Sequence, residues 1–160
     1  MTKGLFVVVG ILTLAGVSAV AQSKTGLAEA FIGTWNLNLN KSKFNPGPGP
    51  KSQRLTWQPG GAGYTFTVET VTADGKPTKS ITKGSCDGKP YAVEGSPLKL
   101  MRSCRRIDDQ TYDDTDTLDG KVRTARRVVL SKDGKMLTIT SKGTNAEGKP
   151  TNNVTVFEKQ

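Results

Sequence analysis

A chain of 160 residues, with 23 Lys plus Arg against 14 Asp plus Glu, has room for one domain and a net charge of +9. It has no histidine, which removes the usual acid–base group of neutral-pH catalysis, and its two cysteines alone cannot complete a zinc site. Apolar residues make up 34% and glycines number 18, a balance that suits half-buried strands and turns better than long helices.

Met1–Ala21 has the pattern of a secretory leader. Lys3 supplies the positive start, Leu5–Val20 is apolar, and Ala19-Val20-Ala21 gives the small–x–small cleavage site. The apolar run has about 16 residues, short of the roughly 20 that span a bilayer, and no cationic cluster follows it. We therefore expect a signal peptide over 1–21 and one mature domain over 22–160. The expected product is exported, periplasmic or extracellular, with no stable membrane insertion after cleavage. The surplus positive charge admits two readings, attraction to acidic partners or plain solubility, and the absence of a dense basic run favours solubility.

Beyond a short helical turn over Thr25–Ala30, the mature chain reads as strands throughout. Asp-Gly-Lys or Glu-Gly-Lys recurs at 74–76, 87–89, 119–121, 133–135 and 147–149. Asp-Gly tolerates the positive φ angles of a type I′ turn. Between these turns lie runs rich in Val, Thr, Ile and Tyr. Predicted strands are Phe31–Leu39, Ser52–Gln58, Gly63–Thr72, Thr78–Cys86, Pro90–Glu94, Leu98–Ile107, Thr111–Leu118, Lys121–Ser131, Lys135–Gly143 and Thr151–Lys159. Asn45–Pro50 alternates Pro with Gly and forms an extended loop.

Centring each turn predicts a register. Asp133-Gly134 sets Leu130 opposite Leu137 and Val128 opposite Ile139. Glu147-Gly148 sets Ile139 opposite Val156 and Ser141 opposite Val154. Asp74-Gly75 sets Val68 opposite Ile81. Asp87-Gly88 sets Lys83 beside Ala92, a poorer match that suggests a bulge or longer loop. Trp35, Leu37 and Leu39 share one face of the first strand, and Leu55 with Trp57 one face of the second. Many sequential antiparallel strands with one apolar face are best satisfied by closure, which removes exposed edges. The expected fold is all-β, an antiparallel up-and-down meander of about ten strands closed into a barrel. A two-sheet sandwich satisfies the pattern less directly. Cys86 and Cys104, an even pair in an exported chain, are expected to form a disulfide.

Phe31-Ile32-Gly33-Thr34-Trp35-Asn36-Leu37 resembles the opening strand of lipocalins and fatty-acid-binding proteins, where Gly-x-Trp follows a short helical turn. The mature chain also resembles small exported bacterial lipocalin-like proteins of unassigned activity. The resemblance implies a lipocalin-like barrel with Trp35 plugging one end. Where fatty-acid-binding proteins have a helical lid, Lys41–Lys51 is short and Pro-rich, and the Thr-Asp-Tyr loop of many lipocalins is absent.

The Asp119-Gly120 hairpin carries the most telling charges. Its centred register pairs Asp113 with Arg126 and Asp116 with Arg123. Arg126 shares a face with Val122, Val128 and Leu130, so Arg126 and Asp113 should point inward, while Asp114, Asp116, Arg123 and Arg127 point outward. An inward Arg could hold a ligand carboxylate or phosphate through its planar fork, as the resemblance also implies. Equally, Asp113 could simply neutralise it. Carboxylates diverging to both faces of a strand make no calcium site, and no cofactor is implied.

Trp57, Tyr64 and Phe66 lie on the apolar side, as core or as ligand-facing residues; nucleic-acid binding would want such aromatics exposed among Lys and Arg. No nucleophile elbow or phosphate loop is present, so no catalytic residue is assigned. The expected function is binding of a small molecule, with Arg126, Asp113, Trp57, Tyr64 and Phe66 as candidate contacts. A solid-cored interaction module and a barrel-cavity enzyme are the alternatives.

Overall fold

The computed structural model describes residues 26–61, 63–145 and 148–160; the leader expected over 1–21 lies outside them. A single 3₁₀ turn, Glu29–Phe31, precedes ten strands: β1 Gly33–Lys43, β2 Ser52–Gly60, β3 Gly63–Val71, β4 Pro77–Gly84, β5 Asp87–Glu94, β6 Leu100–Arg106, β7 Thr111–Leu118, β8 Lys121–Leu130, β9 Met136–Thr144 and β10 Pro150–Lys159. Each pairs antiparallel with its sequence neighbour, and β10 returns to β1, so the meander closes into a barrel. Closure leaves no free edge.

The chain enters beneath the barrel. Phe31 and Trp35 are fully buried, and the Trp35 indole N–H donates to the Phe31 carbonyl at 3.0 Å, satisfying the polar tip of the plug. Leu37 packs against the core, but Leu39 is 45% exposed because β1 has by then passed the packed region. Cys86 and Cys104, both buried, form the disulfide, tying the β4–β5 corner to β6.

The β8–β9 register is the expected one: Leu130 pairs with Leu137 and Val128 with Ile139. Two others shift by one residue. Val68 faces Ser80 rather than Ile81, and Ile139 faces Thr155 rather than Val156. The cause is loop length. Thr72 N–H donates to the Lys76 carbonyl and Asn145 N–H to the Lys149 carbonyl, each enclosing three residues, with Gly75 and Gly148 at positive φ. A centred register assumes a two-residue turn, and one extra residue turns the following strand over. Thr82 and Phe157 therefore point inward, and Ile81 and Val156 outward. Between β4 and β5, Ile81 pairs with Glu94 and Thr82 with Val93, and Lys83 is exposed, 3.7 Å from Glu94.

Asp119 and Gly120 both adopt positive φ, as a type I′ turn requires. Leu118 pairs with Lys121 and Thr117 with Val122, but the next pair is Asp116 with Thr124. Arg123 is the extra residue of a β-bulge. Gly143, opposite Thr124 on β9, makes room for it: a Cβ there would lie 2.5 Å from the Arg123 carbonyl oxygen.

Candidate functional site

The bulge at Arg123 decides which charges enter the barrel. Below it, Asp114 pairs with Arg126 and Asp113 with Arg127. Arg126 points inward, as alternation with Val128 and Leu130 requires. The expected pairing with Asp113 is wrong: Asp113 lies on the outer face, held by Arg127 through Nε at 2.8 Å and Nη2 at 2.9 Å. Asp114 and Asp116, expected outside, are buried inside, and Val122, expected inside, is 68% exposed. A register counted uniformly from the turn cannot include a residue the ladder skips.

Inside, four side chains form one network. Arg102 on β6 grips Asp116 with two parallel bonds, Nε to Oδ1 at 2.7 Å and Nη2 to Oδ2 at 2.8 Å. Arg126 bridges the two acids, with Nη2 to Asp116 Oδ2 at 2.8 Å and Nη1 to Asp114 Oδ1 at 2.7 Å. Bidentate charge-assisted bonds of this kind are among the strong ones. The Arg102 guanidinium also lies 5.2 Å from the centre of the Phe66 ring, within cation–π range.

The Asp116 side chain is only 4% exposed. Burial by itself would raise its pKa; the Arg102 hydrogen bond and the two guanidinium charges outweigh that and hold it well below the usual carboxylate range. Burial likewise works against the Arg126 charge, and Asp114 and Asp116 overcome it and raise its pKa. Burial pushes the Tyr64 phenol up to about 12 and Tyr112 well above its ordinary value, so both stay neutral hydroxyls at physiological pH.

Above the network the barrel is hollow. A cavity of about 830 Å³ opens beneath the β1–β2 loop, within the usual range for small-molecule sites. Its floor is Leu55, Phe66, Val68, Tyr112, Ile139 and Phe157; its upper wall is largely Thr, Ser, Asn and Gln. The loop crosses the mouth as a strap. At one end Asn45 N–H donates to Asn153 Oδ1 at 2.8 Å and its carbonyl accepts from Asn152 N–H at 2.7 Å. At the other, Lys51 N–H donates to the Val71 carbonyl at 2.8 Å. Between these anchors proline stiffens the backbone.

Of the residues singled out in the sequence, Arg126 and Phe66 line the cavity. Trp57 and Tyr64 are buried below it; Trp57 stacks on Phe66 with ring centres 4.3 Å apart and meets Tyr112 edge-on at 6.4 Å. Arg102, Asp114 and Asp116 were missed. Two signals carried them: Arg102 has the same parity as Cys104, and Asp114 and Asp116 have the same parity as Tyr112, so each pair shares a strand face. Among the described residues no group of His, Cys, Asp or Glu converges as a metal site.

The sequence matches no protein-family model and no curated protein. Among solved structures, the barrel is similar to that of zebrafish ileal bile acid-binding protein, determined in complex with cholic acid. The match covers 82% of this chain and 99% of that one, with 15% identity and a TM-score of 0.47.

Proposed function

We propose that this chain is an exported carrier of a small molecule, held in the upper half of the barrel. The observation that carries the reading is the cavity itself: about 830 Å³, with an apolar floor, a polar wall and a fully paired charge network between them. A barrel serving only as a solid scaffold gains nothing from leaving that volume unfilled, since close packing is what stabilises an interior. Export is supported by the leader pattern of Met1–Ala21 and by the Cys86–Cys104 disulfide, a bond that persists in oxidising compartments.

Native mass spectrometry of the protein isolated from its own host tests this. A co-purifying small molecule should appear, and Ser141→Trp, which fills the upper wall, should abolish it with the circular dichroism spectrum unchanged. A ligand-free mass for the parent protein, together with no binding of any amphipathic probe, overturns the proposal.

A further inference from the structure

The class of ligand follows from what the cavity wall leaves unpaired, and this inference rests on the binding role proposed above. Arg102 and Arg126 are the cations among its described lining residues, and both are already committed to Asp114 and Asp116. Two guanidinium groups and two carboxylates cancel, and no lysine lines the wall. Asp74, at the rim, is paired with Lys76 at 3.0 Å.

Each guanidinium keeps N–H groups free, Nη1 of Arg102 and Nε of Arg126 among them, but its charge is already neutralised by a buried carboxylate that a ligand carboxylate would have to join or displace. Binding there would set like charges together, or strand a buried Asp by displacing it. A ligand cation meets the mirror-image problem. By contrast, Gln53, Thr70, Thr124, Ser141, Asn153 and Thr155 carry uncharged polar groups around the upper wall. Gln53 Nε2 donates to Thr70 Oγ1 and Asn153 Oδ1 accepts from Asn45 N–H, which leaves the Gln53 carbonyl, the Asn153 amide N–H groups and the Thr124 and Ser141 hydroxyls for a ligand.

We infer that the ligand is an uncharged amphipath, its hydroxyl or amide groups bonded to this collar and its apolar body resting on the aromatic floor. The committed interior arginines select against the anion that a single free arginine would attract.

Calorimetric titration of the purified protein with 1-decanoylglycerol and with decanoate, which share one acyl chain, distinguishes the outcomes. The glycerol ester should bind at least about tenfold more tightly, a difference of roughly 1.4 kcal/mol. Asp114→Asn removes one of the two carboxylate charges that cancel the arginines and should raise decanoate affinity by about tenfold. Equal or tighter binding of decanoate to the parent protein overturns the inference and leaves the carrier reading standing. Silence from both probes overturns this inference, and the carrier reading then rests on the native mass spectrum. Should Asp114→Asn fail to fold, the ratio measured on the parent protein still decides.

Discussion

The two ends of this barrel are built from the same strands yet have opposite interiors. Followed upward, the inward residues of β2 run Trp57, Leu55, Gln53; those of β3 run Tyr64, Phe66, Val68, Thr70; those of β9 run Leu137, Ile139, Ser141; those of β10 run Phe157, Thr155, Asn153, Thr151. Each series passes from large apolar to small polar. Below, the side chains interlock: Phe31 meets Tyr112 edge-on at 5.1 Å and Trp57 stacks on Phe66. Above, the same pleat carries hydroxyls and amides too short to reach across, and a cavity results. Close packing and open volume are thus separated along the barrel axis, with the Arg–Asp network in the wall where they meet.

That separation can be broken by substitution. The largest effect should come from the lower half: Trp35→Ala should cost about 3–5 kcal/mol in urea unfolding, because it removes a fully buried ring and leaves a cavity. Next, replacing both Cys86 and Cys104 by Ser should cost about 3 kcal/mol by the same measurement, the loop-closure value expected when the cross-linked residues stand 18 apart.

Acid should distinguish the network from the plug. The folded-state pKa of Asp116 is depressed below its unfolded value near 3.9, so its contribution is fully present above that value and is lost as pH falls through the folded pKa. Stability should therefore decline below about pH 4. Asp116→Asn should flatten that acid limb, whereas Trp35→Ala should lower the whole pH curve without changing its shape. The smallest effect belongs to the upper wall: Ser141→Ala should alter unfolding by less than about 0.5 kcal/mol, as Ser141 lines the cavity and is only partly buried. A loss of several kcal/mol there would mean that the two ends are not separable.

Much of the fold was legible because its signals are local. Gly-x-Trp placed the plug, Asp-Gly-Lys placed the turns, and β-rich runs between them gave ten strands. Arg126 was legible as an inward residue from its spacing to Val128 and Leu130. Its partners were not, since they depend on the bulge at Arg123, which is accommodated by Gly143 on a different strand. Ile81 and Val156 were assigned inward for a related reason: Gly75 and Gly148 close loops enclosing three residues rather than two. The parity of Tyr112 with Asp114 and Asp116 would have corrected the first error from β7 alone.

Alternation and glycine turns, acting over a few residues, were enough to specify a ten-stranded antiparallel meander with an aromatic lower end. Which side each strand presents in its final register, which acids meet Arg102 and Arg126, and whether any volume stays empty were decided only on closure. Those outcomes depend on single-residue slips accumulated around the ring and on side chains meeting across the barrel, distances that no local pattern encodes.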